Sequence, residues 1–342
     1  MSHPVRLARG AGIAALAIVL IVGLLTPPEA NCCPDRPVAQ GGGDRELFRA
    51  VADRIGHGEG YYAAMGAELV SRSYPTGHVY NWRTPLYLEL AGGAPRLLTG
   101  LIWLLCGLVV AGTAHVSGRG WLVALPLQIG GAAAAWAADS ARFSEALAGL
   151  LIALSVLASL REWRTASIGV GMAALFVREL AAPYVGIRLA LALWRREWRD
   201  AAGWALGLGA YLAFYAWHAS RVYAAMPAVP AVYAFSHVHF GGLRFILATL
   251  RTNGWLIVSP WWVAPFALVA LLAAMWRAPV VVALPILGYL AVFAFVGLPF
   301  NWYWGLIPGM LMPLAWSRTI STDRLPRLKH DPISGSRLSV VR

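Results

Sequence analysis

The 342 residues are 59% hydrophobic and only 13% charged, whereas a soluble domain carries about 25% charged residues. The formal net charge is +12, and Lys329 is the one lysine in the chain, so arginine supplies nearly all of the positive charge. Apolar runs of about 15–20 residues recur along the chain, which argues against a soluble domain and predicts an all-α, polytopic bundle of transmembrane helices. The arginines lie at the ends of these runs, where they orient helices and meet lipid headgroups, so we expect membrane lipids and no nucleic acid as partners.

The predicted spans number about ten. Arg6 and Arg9 before the first span also fit a cleaved signal peptide, but we favour an uncleaved first span. The fifth and sixth spans are short, so a hairpin that dips through the membrane around Pro183 is the alternative there. The spans are 11–26, 97–114, 121–138, 146–160, 166–177, 181–194, 201–217, 255–276, 279–296 and 302–316.

The spans form one predicted membrane domain, residues 1–316. The segment 317–342 has no apolar periodicity, and it is predicted to be a disordered, basic cytoplasmic tail. Arginine placement puts the N-terminus and the clusters at 161–164 and 194–199 in the cytoplasm. High alanine, glycine and arginine content is typical of a GC-rich bacterium, so the predicted location is the bacterial inner membrane, with both termini cytoplasmic. The outer side then receives the segments 27–96, 139–145, 217–254 and 298–301.

The first outer loop, 27–96, is the longest polar segment before the tail, and we expect chemistry there. Residues 46–73 are predicted to be helical, with a break at 56–58 and an apolar face suited to the membrane surface. Glu59 falls at the start of the second helix, where the helix dipole favours a carboxylate, so a structural role also explains it. The acidic residues of this loop include Asp44, Glu46, Asp53, Glu59, Glu68 and Glu89.

The pattern Glu59-Gly60-Tyr61-Tyr62, followed by Glu68 and Tyr74-Pro75, resembles the GT-C superfamily of integral-membrane glycosyltransferases. The segment 143–184 and the final outer turn, 299–304, resemble the same superfamily in layout. The resemblance implies that a sugar leaves a polyprenyl-phosphate carrier on the outer side of the membrane. It would then join a glycan, lipid or protein acceptor of the cell envelope.

The resemblance also implies residue roles. Glu59 would be the base that takes the proton of the acceptor hydroxyl, with Asp53 as the alternative. Arg83 and Arg178 would bind the donor phosphate, because a guanidinium pairs with phosphate oxygens; a structural pair of Arg178 with Glu179 is an equally good explanation. The remaining candidates for substrate binding are Tyr61, Tyr62, Trp82, Glu179 and Trp302.

Two other functions remain open. A transporter or lipid flippase would use intramembrane charges such as Arg178, Glu179 and Arg188 along a pathway. A catalytically inactive GT-C relative would act in cell-envelope assembly. The sequence has no evident metal-ligand cluster, since His237 and His239 lack a third ligand nearby, and it leaves open whether a divalent metal is the cofactor. The adjacent pair Cys32-Cys33 leaves open a disulfide to another chain.

Overall fold

The computed structural model describes residues 3–26, 43–139, 143–229, 240–297 and 299–316. Over these residues the chain is all-α, with fifteen α-helices joined by turns and short 3-10 segments, and none of these residues forms a strand. The helical fold class predicted from the apolar runs is therefore confirmed.

The helices follow one another along the chain with few long connections between them. They are α1 (His3–Leu24), α2 (Asp44–Gly56), α3 (Tyr61–Ser71), α4 (Pro85–Gly93), α5 (Pro95–Ser117), α6 (Trp121–Asp139), α7 (Ser144–Leu160), α8 (Arg164–Val177), α9 (Ala182–Trp194), α10 (Trp198–Ala225), α11 (Gly242–Leu250), α12 (Gly254–Ile257), α13 (Val263–Met275), α14 (Val280–Phe295) and α15 (Leu306–Gly309).

Among the described helices, α5 is the one whose length and apolar composition suffice to cross a membrane. Several shorter apolar helical segments coincide with predicted spans, and the count of about ten spans stays a prediction. These shorter segments are Ala11–Leu24, Trp121–Ala137, Ser144–Leu160, Arg164–Val177, Val263–Met275 and Val280–Phe295.

The central helix of the bundle is α7, which is buried along most of its length and packs against α8, α5 and α15. Small residues allow this close approach. A Cβ added at Gly149 of α7 would lie 2.5 Å from the carbonyl oxygen of Leu306 in α15, so only glycine fits there. The outer faces of the bundle carry large apolar side chains, such as Trp103 and Leu104 of α5, which are exposed.

The described part of the first loop, from residue 43 onward, forms a helical cap in which α2 packs against both α3 and α4. The predicted break between two helices at 56–58 is confirmed, because α2 ends at Gly56 and α3 begins at Tyr61. Gly58 has φ +93°, a conformation that glycine adopts without steric cost. This break turns the chain so that α3 packs back against α2.

Two predicted spans differ from the structure near prolines. The predicted helix 255–276 is interrupted, because α12 ends at Ile257 and α13 begins at Val263. Pro260 lies in this gap, where proline removes a backbone donor and disfavours the helical conformation of the residue before it. The predicted span 302–316 is likewise a series of short segments, Pro299–Gly305, α15 and Met312–Trp316, rather than one helix. Helix α11 lies within what was predicted to be an outer loop.

Candidate functional site

A cavity of about 230 Å³ opens between the start of α2, the turn before α4, the end of α8 and the segment Pro299–Gly305. These four segments are far apart in sequence. The topology predicted from arginine placement puts all four on the outer side of the membrane. The cavity is lined by Asp44, Leu47, Phe48, Tyr74, Tyr80, Asn81, Arg83, Arg178, Glu179, Leu180, Val296, Asn301 and Trp304.

Asp44 is the carboxylate of this cavity that two tyrosines hold in place. The hydroxyl of Tyr74 donates to its Oδ1 at 2.8 Å, and the hydroxyl of Tyr303 donates to its Oδ2 at 2.6 Å. Asp44 also lies in the first turn of α2, where the helix dipole favours a negative charge. The two hydrogen bonds fix the orientation of the carboxylate at the cavity.

Arg83 lies across Tyr303 from Asp44. Its Nη2 donates to the Tyr303 hydroxyl oxygen at 3.4 Å, its Nη1 lies 3.5 Å from Oε1 of Glu179, and its guanidinium lies over the ring of Phe48. These contacts are long, and the Arg83 side chain is 18% exposed, so its charge remains accessible from the cavity.

The backbone of Arg83 is strained, with φ +56°, which residues other than glycine adopt at an energetic cost. The hydroxyl of Tyr61 holds this turn, because it donates to the carbonyl oxygens of both Trp82 and Arg83, the latter at 3.0 Å. The buried indole of Trp82 anchors the other side of the turn by donating from Nε1 to the carbonyl of Thr76 at 2.9 Å. Strained residues of this kind cluster at functional sites.

Arg178 is almost fully buried between two glutamates. Its Nε and Nη2 lie 2.9 and 2.8 Å from Oε1 of Glu145, and its Nη1 donates to Oε1 of Glu179. Burial alone would raise the pKa of Glu179, but the charges of Arg178 and Arg83 outweigh burial and hold that pKa below its ordinary value. The charge of Arg178 is therefore largely compensated within the protein, which leaves Arg83 as the more available cation of the cavity.

Glu59 does not line the cavity. Its two carboxylate oxygens accept from Nε and Nη2 of Arg54 at 2.6 and 2.8 Å, and this hydrogen bonding lowers its pKa. Arg54 also pairs with Glu68 at 3.3 Å, and Glu68 pairs with Arg72 at 2.9 Å. These four residues, Arg54, Glu59, Glu68 and Arg72, form an ion-pair ladder on the outer face of α2 and α3. Asp53 is exposed and also lies outside the cavity lining.

The other residues predicted for substrate binding fall into two groups. Arg83, Arg178 and Glu179 all line the cavity. Tyr61 and Trp82 are buried beneath the Arg83 turn, Tyr62 bonds through its hydroxyl to Nδ1 of His218 at 3.0 Å, and Trp302 is 40% exposed; none of these four lines the cavity. Their predicted contact with substrate stays a prediction.

Sequence reasoning missed three residues of the cavity lining, Asp44, Tyr80 and Trp304, and also Tyr303, which contacts two lining residues. Asp44 stood among the acids of the first loop, but nothing in its spacing singled it out. Tyr303 occurs in the final turn that carried part of the resemblance, and its link to Asp44 joins residues 259 positions apart. Tyr80 and Trp304 were likewise not predicted as site residues, although both line the cavity.

An apolar groove of about 560 Å³ runs beside the charged cavity. Two residues of its lining are close in sequence to residues of the cavity lining: Leu86 to Arg83, and Val177 to Arg178. The two segments contact each other, because the hydroxyl of Thr84 donates to the Val177 carbonyl at 3.2 Å. The groove is lined by Leu86, Tyr87, Leu90, Leu101, Leu147, Leu151, Gly169, Met172, Ala173, Phe176 and Val177.

Within the described ranges, no group of three or more histidine, cysteine, aspartate or glutamate side chains is placed to hold a metal ion. The pairs His237/His239 and Cys32/Cys33 lie outside the described residues, as does the predicted tail at 317–342.

Comparison of this chain with protein-family models, with curated proteins and with solved structures gave no match.

Proposed function

We propose that this chain is an integral-membrane glycosyltransferase of the bacterial inner membrane. It moves a sugar from a polyprenyl-phosphate carrier to the hydroxyl of an extracytoplasmic acceptor. The observation that carries the proposal is that a carboxylate and an available guanidinium of one cavity, Asp44 and Arg83, contact the same tyrosine hydroxyl. Tyr303 lies 2.6 Å from Asp44 and 3.4 Å from Arg83.

The chemistry assigns one role to each charge. The carboxylate of Asp44 takes the proton of the acceptor hydroxyl, while the hydroxyl oxygen attacks the anomeric carbon of the donor sugar. The bond between that carbon and the phosphate oxygen breaks, and the polyprenyl phosphate leaves with the electron pair. Arg83 stabilises the negative charge that develops on the departing phosphate. The sugar passes through an oxocarbenium-like transition state, and a single displacement inverts the anomeric carbon.

We assign the base to Asp44 rather than to Glu59 because of their surroundings. Both oxygens of Glu59 are held by one arginine outside the cavity, whereas Asp44 lines the cavity and accepts hydrogen bonds from the hydroxyls of Tyr74 and Tyr303. A base must reach the acceptor proton directly, so position decides between two acids of one loop.

Apolar surfaces support a lipid-linked donor. The groove of about 560 Å³ beside the cavity offers a place for the prenyl chain while the phosphate meets Arg83. Exposed tryptophans and leucines on the outer helix faces fit contact with lipid rather than water.

Arg164 pairs with Glu197 and Asp200, which joins the two arginine-rich segments predicted to face the cytoplasm.

The test is transfer from polyprenyl-phosphate sugars by the purified protein in lipid nanodiscs. We expect Asp44→Asn to lower the rate by about 10²- to 10⁴-fold, because asparagine keeps the shape but cannot accept the proton. Glu59→Gln is the matched control and should transfer at nearly the wild-type rate. Loss of activity in Glu59→Gln with retention in Asp44→Asn would return the base to Glu59. Absence of transfer by the wild type from every donor would favour the transporter or the inactive relative.

A further inference from the structure

An exposed aromatic ring stands at the mouth of the cavity. Tyr80 is 39% exposed, lines the cavity, and stacks nearly parallel on the ring of His78, with 5.2 Å between centroids and 13° between planes. A stacked neighbour fixes the orientation of the phenol ring. One face of an aromatic side chain is thereby held ready for a flat apolar partner.

A second feature of the same cavity is a buried donor. The side chain of Trp304 is 6% exposed, and its Nε1 has no hydrogen-bond partner among the described residues. Buried N–H groups are nearly always paired, so an unpaired one in a cavity wall points to a partner that arrives with a ligand. The rings of Phe245 and Phe293 pack around the indole and hold it in place.

Two neutral amides, Asn81 and Asn301, also line the cavity. Asn81 is oriented by the bond from its Nδ2 to the carbonyl of Pro75 at 2.9 Å, and Asn301 is buried in the lining. An aromatic face, an indole donor and amides match a sugar ring, which has an apolar C–H face and hydroxyls around its edge. The two acids of the lining, Asp44 and Glu179, balance its two arginines, Arg83 and Arg178, and the donor phosphate takes up the charge of Arg83, so no positive charge is left over for an acidic sugar.

We propose that Tyr80 and Trp304 form the subsite for one neutral sugar ring, with Tyr80 stacking on the ring face and Nε1 of Trp304 donating to a ring hydroxyl. The inference rests on the proposed function, because this ring is the sugar that the donor carries next to its phosphate at Arg83. The cavity of about 230 Å³ is smaller than the about 300–1,000 Å³ of pockets for drug-sized ligands, so it fits a single sugar rather than an oligosaccharide.

The experiment measures binding without transfer, by calorimetry on the protein in nanodiscs. The probes are inorganic phosphate, a panel of neutral hexose 1-phosphates and one uronic acid 1-phosphate. We expect the best hexose 1-phosphate to bind about two- to tenfold more tightly than phosphate, and the uronic acid 1-phosphate to show no such gain. Tyr80→Ala should abolish the gain and leave phosphate binding unchanged, whereas Tyr80→Phe should keep it, because the ring rather than the hydroxyl makes the contact.

Two further variants sharpen the result. Trp304→Phe removes the donor but keeps an aromatic ring, and it should weaken hexose 1-phosphate binding by about two- to tenfold. Tyr223→Ala, at an exposed tyrosine outside the cavity lining, is the control and should change nothing. Equal binding of phosphate and every hexose 1-phosphate would overturn the sugar subsite while leaving the anion site of the proposed function in place. Equal losses in Tyr80→Phe and Tyr80→Ala would also overturn the subsite, and absence of phosphate binding would overturn the proposed function with it.

Discussion

Two groups of charged residues in this protein have the same composition and different surroundings. In each group one arginine contacts two glutamates: Arg178 with Glu145 and Glu179, and Arg54 with Glu59 and Glu68. The Arg178 side chain is 1% exposed, whereas the Arg54 side chain is 39% exposed. The first group lies against the cavity and the second on the outer face of the cap.

The difference in burial changes what each group does. Water and salt screen the Arg54–Glu59 pair of the ladder, whose side chains are 39% and 32% exposed, so this pair contributes little to stability. The buried group has little water around it, so each of its charges depends on its protein partners. Removing one charge of such a group therefore lowers the free energy of unfolding strongly. Glu179 contacts both Arg178 and Arg83, so these three side chains also set the charge that a ligand meets in the cavity.

The strongest test of this difference between the two groups is to remove the central arginine of each. Arg178→Ala leaves two glutamates without their buried partner, and we expect it to lower the free energy of unfolding by about 3–5 kcal/mol. Arg54→Ala removes an exposed partner and should have a far smaller effect. Unfolding titrations in mixed detergent measure both. A restored stability in the double variant Arg178→Met/Glu145→Leu would confirm that the cost comes from the uncompensated charge, and equal effects of the two alanine variants would contradict the comparison.

Arg83 provides the next largest effect, on binding rather than on folding. We expect Arg83→Gln to weaken binding of a short-chain prenyl phosphate by about 10- to 100-fold, since a charge-assisted hydrogen bond contributes about 1.5–3 kcal/mol. Arg83→Lys should recover only part of this affinity, because lysine lacks the planar fork. Arg72→Gln, at an arginine of the ladder that lies outside the cavity lining, is the control. Unchanged affinity in Arg83→Gln would move the phosphate site away from this residue.

The sequence predicted the helices better than it predicted the cavity. Apolar runs predicted the helices well, because burial or lipid contact of an apolar segment is a local property; α7 and α8 begin and end within about two residues of the predicted spans. Prolines set the limits of this approach. The break between α12 and α13 at Pro260 and the short segments around Pro308 both replace predicted continuous spans.

The cavity was predicted only in part. Arg83, Arg178 and Glu179 stood out because charges beside apolar spans are costly and need a reason. Glu59 was predicted as the base because of the resemblance, with Asp53 as the alternative, and Asp44 was only one of several acids in the same loop. In the structure Asp44 lines the cavity and accepts from Tyr303, whereas Glu59 lies outside the lining and pairs with Arg54. The contact of Asp44 with Tyr303 joins residues 259 positions apart. Such a contact depends on how the helices pack, so local sequence patterns do not predict it.

The Tyr61-Tyr62 pair gives a smaller and more selective effect. Tyr61→Phe removes the hydroxyl that holds the carbonyls of Trp82 and Arg83, so we expect a loss of about 0.5–1.5 kcal/mol in stability. Release of the Arg83 turn should also weaken prenyl phosphate binding. Tyr62→Phe removes the bond to His218 instead, so it should leave phosphate binding unchanged. Equal phosphate affinities in the two variants would show that the Arg83 turn does not depend on Tyr61.

The smallest effect belongs to Glu59 and is best seen through pH. Its pKa in the folded protein is lowered by hydrogen bonding to Arg54, so the pair stabilises the fold at pH values above the ordinary carboxyl pKa of about 4.3. This contribution is lost as the pH falls through the lowered pKa, because the protonated acid no longer pairs with the guanidinium. The unfolding midpoints of the wild type and Glu59→Gln should therefore differ slightly at neutral pH and converge in acid. High salt at neutral pH should also bring them together, since the pair is exposed, whereas the cost of Arg178→Ala should persist in the same salt. A Glu59 contribution that resisted salt would place this carboxylate in a drier environment than the cap surface and would reopen its candidacy as the base.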